Sequence, residues 1–141
     1  MSRSLAFADV NIGDELPGLD VPLTASIIVG GALASRDFTP VHHDRSAAQA
    51  QGMSDVFMNI LTTNGYVGRF VTDWAGPDAA IRQLSVKLGG PNLPGDTMKM
   101  SGKVVEADAD AGTVAVDVVG KNSWGNHVEG RVVVALSAGA S

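Results

Sequence analysis

Between residues 83 and 136 apolar positions recur at every second residue in four separate stretches. Leu84, Val86 and Leu88 alternate with Gln83, Ser85 and Lys87. Met98, Met100, Gly102 and Val104 alternate with Thr97, Lys99, Ser101 and Lys103. Val114, Val116 and Val118 alternate with Thr113, Ala115 and Asp117, and Val128, Gly130, Val132, Val134 and Leu136 form the last stripe. A period of two gives each stretch one apolar face, the pattern of an antiparallel sheet covered on one side. The clusters NLPGD, DADAG and WGN mark the turns between them. Upstream the period lengthens. Over 55–74, Val56, Phe57, Ile60, Leu61, Val67, Phe70, Val71 and Trp74 recur at spacings of three and four. This predicts one long helix, with Asp55 in its first turn and Gly76–Pro77 at its end.

The first third of the chain is more broken. Residues 9–23 carry Gly13, Pro17, Gly18 and Pro22 between short apolar pieces, a lead-in with a short strand. Thr24 or Ser26 then caps a helix running to about Ser35, with Ile27, Ile28, Gly31 and Ala32 on one face. RDFTPVHHDRS, residues 36–46, is a loop, because Pro40 lacks an amide hydrogen and pushes Thr39 from helical angles. A short Ala-rich helix starts at Ser46 and stops at Gly52, and the SAGAS tail is expected to fray. The order predicts a single α+β domain over residues 1–141, an antiparallel sheet wrapped around one long helix.

Composition narrows the possible partners. Apolar residues make up 45% of the 141 and charged residues 18%. An apolar lean in so small a chain suggests that a partner covers part of its surface. The net charge is −5 and the ten Lys and Arg are scattered, so no basic stripe points to nucleic acid. No cysteine is present, which excludes disulfides and thiolate catalysis. No apolar run reaches membrane-spanning length and the start lacks a secretory apolar stretch, so the expectation is a cytoplasmic protein.

The loop gathers Asp37, His42, His43 and Asp44 within eight positions. A carboxylate beside an imidazole is what water activation needs. The imidazole exchanges a proton near neutrality, and the carboxylate orients the water or fixes the ring tautomer. By spacing alone, a solvated loop is the better reading. A metal site at His42, His43 and Asp44 is a weaker one, since adjacent histidines on extended backbone diverge and only His127 lies elsewhere. Among other residues, Met98 and Met100 fit a sheet face and Trp74 closes the helix end. Trp124 suits an interface or local packing near a turn. His43 contacts loop backbone or a partner, and His127 is expected on a hairpin surface. Arg69, Lys87 and Lys99 are expected on solvated faces.

DFTPVHHD resembles the D-x-N-P-x-H-x-D signature of MaoC-type enoyl-CoA hydratases, with Asp37, Pro40, His42 and Asp44 in register. VTDWAGP and LSVKLGGPNLPGDTMKMSGKV are similar to the family's later section, including its P-G-D-T turn. The strings ALASRDFTPVHHDR, FMNILT and RFVTDWAGP are most similar to the small MaoC-like subunits of actinobacterial steroid side-chain enoyl-CoA hydratases.

The resemblance implies a hot-dog fold and a hydro-lyase acting on a 2-enoyl-CoA thioester, with no metal and no cofactor, CoA being part of the substrate. Carried over, Asp37 and His42 are the catalytic pair that adds water across C2=C3, giving the (R)-type 3-hydroxyacyl product where C3 is stereogenic. The family's His-Gly pair at the start of the long helix, an oxyanion donor, falls on Asn59–Ile60, a departure. Thr39 replaces the usual Asn. The resemblance further implies a second MaoC-like subunit in a heterodimer or heterotetramer, or otherwise a homodimer. Two alternatives stand beside a steroid substrate: a fatty acyl-CoA or acyl carrier protein hydratase or dehydratase, and a non-catalytic hot-dog subunit shaping a partner's tunnel.

Overall fold

A computed structural model describes residues 3–139. A short strand β1 (Leu19–Pro22) leads into helix α1 (Ala25–Ala34). Then come helix α2 (Arg45–Ala50), helix α3 (Ile60–Ala75), and strands β2 (Ala80–Leu88), β3 (Thr97–Asp108), β4 (Thr113–Asn122) and β5 (Gly125–Ala135). The strands form one antiparallel sheet in the order β1-β3-β4-β5-β2. The lead-in strand, the two flanking helices, the long helix and the four alternating stretches all form, and the architecture is α+β.

The apolar stripes close on α3. Val67, Phe70, Val71 and Ala75 of the helix are buried in one cluster with Met98, Met100, Val104, Val114, Val116, Val118, Val128, Val132 and Val134 of the sheet. Each valine, methionine and phenylalanine among them contributes roughly 1.5–3 kcal/mol by leaving water. The helix sits close to the sheet because Gly102 has no side chain; a Cβ there would lie 2.8 Å from the Phe70 ring. β2 is an edge strand with only β5 beside it, and along it Leu84 and Val86 are half-buried while Ile81 and Leu88 are exposed.

Four expectations need correction. The long helix begins at Ile60, not at 55. Val56 and Met58 are buried from an extended segment, where Phe57 N–H reaches Val41 O and Met58 N–H reaches Asn92 O. Val56 stands four residues before Ile60, and Phe57 three and four before Ile60 and Leu61, which imitates a helical face; Ile60 and Leu61 are in fact about half exposed. Asp55 therefore lies outside the helix, where it pairs with Arg45 at 3.4 Å. The short helix starts at Arg45 rather than Ser46, capped by Asp44, whose Oδ1 accepts from Ala47 N–H. Third, β5 opens at Gly125 and β4 runs on to Asn122, beyond the alternating stretches. Fourth, Ser137 of the tail bridges to Ala6; Ala140 and Ser141 lie outside the described residues.

Thr24 caps α1 as expected, its hydroxyl accepting from Ile27 N–H at 3.0 Å. The helix then packs on α3 at Gly31. A Cβ on Gly31 would stand 2.3 Å from Thr62 Oγ1 and 3.1 Å from Thr62 Cβ, a branched side chain stiff at χ1 whose hydroxyl is held by Asn59. Gly31→Ala should therefore destabilise the chain by about 1–3 kcal/mol, although alanine favours helix, because the overlap outweighs the propensity gain. Urea unfolding checks this, and a stabilised variant would contradict it.

Candidate active site

The end of α1 sets the site. Ser35 closes the helix with its hydroxyl on Gly31 O at 2.7 Å, and Arg36 then adopts φ 57, a left-handed conformation unusual for a side chain larger than glycine. That turn, with Asp37 N–H on Ala32 O, brings the Asp37 carboxylate back toward the start of α3. Pro40 opens one turn of 3-10 helix, Pro40–His42, which carries His42 inward.

The structure brings Asp37 and His42 together. His42 Nε2 lies 3.4 Å from Asp37 Oδ2, with the two side chains 10% and 23% exposed. His42 Nδ1 is 2.6 Å from Phe57 O, so it carries the hydrogen and donates to that carbonyl. The Phe57 ring meets the imidazole edge to face at 4.8 Å. In the neutral ring Nε2 is therefore a bare acceptor opposite a carboxylate oxygen. Two acceptors at that distance need hydrogen between them, which a proton on Nε2 or a water bridging the two would supply.

Asp37 is strongly solvated by the protein. Its Oδ1 accepts from Thr39 Oγ1 at 2.7 Å and from Thr39 N–H at 3.2 Å, and its Oδ2 accepts from Asn59 Nδ2 at 3.1 Å. The Thr39 hydroxyl, then the Asn59 amide, then the Thr39 N–H hold its pKa down to about 2. Thr39, which departs from the family's usual Asn, thus keeps a hydrogen bond to the carboxylate by its hydroxyl.

The remaining loop groups diverge. His43 Nε2 turns to Phe38 O at 3.2 Å, and Asp44 caps α2. His42, His43 and Asp44 thus face three different partners.

Asn59 and Ile60 stand at the first turn of α3. Asn59 is the N-cap, its Oδ1 accepting from Thr62 N–H at 3.0 Å. The N–H groups of Ile60 and Leu61 meet no acceptor among the described residues, and they lie at the positive end of the helix.

His127 was expected on a hairpin surface and is instead 2% exposed. The pairing of β4 with β5 shifts between Gly120↔Val128 and Lys121↔Asn126, leaving His127 as the extra residue of a bulge. A bulge breaks the alternation, so His127 and Val128 both face inward. His127 Nδ1 donates to Gly90 O at 2.7 Å, and Nε2 accepts from Thr63 Oγ1 at 2.9 Å, beneath the first turn of α3. Burial pushes its pKa below the usual histidine value and favours the neutral ring. Ser35, Thr62, Thr63 and His127 went unmarked as site residues; the run N-I-L-T-T, an N-cap residue before an apolar pair, was the available signal.

Beside the pair three large apolar side chains face solvent. Phe38, Ile60 and Leu61 are exposed beside Asp37 and Asn59. An open depression of about 690 Å³ lined by Thr39, Pro40, Val41, Met53 and Phe57 flanks the loop.

Comparison with known proteins gives the context. Residues 9–124 match the family model described as MaoC like domain. A 3-oxo-4,17-pregnadiene-20-carboxyl-CoA hydratase beta subunit from Mycobacterium tuberculosis is 46% identical over 125 residues, 89% of this chain and 95% of that protein. A chain of the crystallised ChsH1-ChsH2 complex from Mycobacterium tuberculosis superposes with a TM-score of 0.87 at 45% identity, covering 89% of this chain and 98% of that one. The (R)-hydratase PhaJ1 from Pseudomonas aeruginosa shares the fold, with a TM-score of 0.85 at 17% identity over 96% of this chain and 88% of that one.

Two outcomes follow. Asp37 titrates near 3.8 when unfolded and near 2 when folded. The stability its hydrogen bonds supply is therefore full above the unfolded value and is lost as pH falls toward 2. In Asp37→Asn, thermal melting between pH 5 and 2 should decline less steeply than in the wild type; equal slopes would contradict the assignment. Thr63→Val leaves His127 Nε2 buried without a donor and should cost about 1–3 kcal/mol in urea unfolding, with Thr63→Ser close to wild type.

Proposed function

From the premise that the chain belongs to the MaoC-like domain family, with its hot-dog fold, we propose that it is an enoyl-CoA hydratase subunit using Asp37 and His42 to add water across C2=C3 of a steroid side-chain 2-enoyl-CoA. The observation that carries this reading is the 3.4 Å approach of His42 Nε2 to Asp37 Oδ2, with Nδ1 committed to Phe57 O.

The water bridges Asp37 Oδ2 and His42 Nε2. His42 takes one of its protons as the water oxygen bonds to C3. The C2=C3 electron pair shifts toward the thioester carbonyl, whose oxygen gains negative charge. The proton on His42 Nε2 then passes to C2, which leaves both side chains as they began and gives the 3-hydroxyacyl thioester. Asp37, held near pKa 2, stays a carboxylate throughout, orienting the water and stabilising the imidazolium. The N–H of Ile60, the first residue of α3, is assigned to the thioester oxygen. Isoleucine still offers this backbone donor where the family has glycine.

The exposed Phe38, Ile60 and Leu61 suit an apolar acyl group or a second subunit. The relative named as a beta subunit, and the solved two-component complex, support assembly with a second MaoC-like subunit. The same relative's name supports a steroid carboxyl-CoA substrate over a linear acyl chain.

The test is hydration of a steroid enoyl-CoA and of a linear enoyl-CoA by the purified chain, alone and with its MaoC-like partner. The steroid thioester should be preferred. Asp37→Ala and His42→Ala should each lower kcat by about 10²–10⁴-fold. Full activity in either variant would overturn the pair, and preference for the linear thioester would overturn the substrate.

A further inference from the structure

We infer that Asn59 is a positioning residue for the Asp37–His42 pair: its side-chain amide, oriented by Thr62, holds the Asp37 oxygen that faces His42. The inference rests on the reading of that pair as the water site.

Asn59 is 2% exposed, and its amide group is saturated. An amide offers two donor hydrogens and two acceptor lone pairs. Here Oδ1 accepts from Thr62 N–H at 3.0 Å and from Thr62 Oγ1 at 2.5 Å. Nδ2 donates to Ser35 Oγ at 2.9 Å and to Asp37 Oδ2 at 3.1 Å. Ser35 can accept because its own hydrogen goes to Gly31 O. The orientation of the amide is therefore fixed. Rotated by half a turn, it would set its oxygen against the Asp37 carboxylate and its hydrogens against Thr62 N–H.

The residue type discriminates between two roles. A helix cap needs only the acceptor, and serine, threonine, aspartate or asparagine supplies it. Serine and threonine carry donor and acceptor on one oxygen, and only asparagine among these sets a separate donor atom on the far side. That donor reaches Asp37 Oδ2, the same atom that lies 3.4 Å from His42 Nε2. Thr39 holds only the other oxygen, Oδ1. Without Asn59, the oxygen facing the water would have no protein donor holding it in the plane the pair requires. Three segments converge on this one side chain: the end of α1 through Ser35, the loop through Asp37 and the start of α3 through Thr62. They can converge because Gly31 admits Thr62 so closely.

Asn59→Ser and Asn59→Asp separate the roles: both retain a capping oxygen, aspartate has no hydrogen to give, and the shorter serine, with donor and acceptor on one atom, does not reach Asp37 Oδ2 as Nδ2 does. The full chain is used, assembled with its second subunit where activity requires it. The Asp37 carboxyl is followed by carbon-13 NMR across the acid range, and kcat and KM are measured for the enoyl-CoA. Asp37 should titrate near 2 in the wild type, higher in Asn59→Ser, and higher again in Asn59→Asp, where a second carboxylate faces it. In Asn59→Ser, kcat should fall on the order of tenfold or more while KM changes little, because the water loses orientation and the thioester does not. A purely structural cap would move neither the Asp37 titration nor the kcat-to-KM split. Wild-type titration and wild-type kcat in Asn59→Ser, with Asp37→Asn inactive in the same assay, would overturn the inference. A wild-type chain that hydrates no enoyl-CoA would instead sink the functional reading, while the Asp37 titration would still report on Asn59. If Asn59→Asp does not fold, Asn59→Ser alone decides.

Discussion

The first turn of a helix leaves amide hydrogens with no partner inside the helix, and something outside must meet them. At the start of α3 that something is the side chain of Asn59, and its position fixes most of what surrounds it. The same side chain reaches Ser35 and Asp37, so the end of α1, the ionisable loop and the central helix share one junction. The junction is anchored from below as well: Thr63, on the next turn, bonds His127 of β5, and His127 bonds Gly90 in the crossing that leads to β3. The sheet, buried against α3 through its valines and methionines, thus supports the loop through a short series of hydrogen bonds.

This arrangement divides the work between the two members of the proposed pair. Asp37 collects three donors and remains charged, whereas His42 is tied only through Nδ1 and leaves Nε2 free to exchange a proton. A permanent anion beside a neutral imidazole can orient water and stabilise the imidazolium without competing for the proton. The backbone strain at Arg36 belongs to the same design, since the left-handed turn there is what redirects the chain so that Asp37 meets Asn59. The exposed Phe38, Ile60 and Leu61 leave the site open on one side, in keeping with a substrate or subunit that completes it.

Much of the fold was legible because most of the sheet is covered on one face, so alternation survives in the sequence. It failed where the backbone departs from the period. At the β5 bulge one extra residue turns His127 inward, and nothing local in WGNHVEG marks it. The start of α3 lies later than the periodicity suggests because Val56 and Phe57, on an extended segment, precede Ile60 and Leu61 at spacings that look helical. Asp37 and His42 could be singled out from a motif, since they lie five positions apart on one loop. Asn59 could be located but not understood. Its bond to Asp37 spans 22 positions and exists only because α1 packs on α3 at a glycine.

In the proposed reaction one water, held between Asp37 and His42, supplies both the oxygen that reaches C3 and the proton that reaches C2. Both then arrive on the same face of the double bond. Hydration of a linear trans-2-enoyl-CoA in deuterium oxide, followed by NMR assignment of the relative configuration at C2 and C3, tests this directly. Deuterium and hydroxyl are expected to add to the same face. Addition to opposite faces would require a second acid on the other side of the substrate and would contradict the one-water reaction.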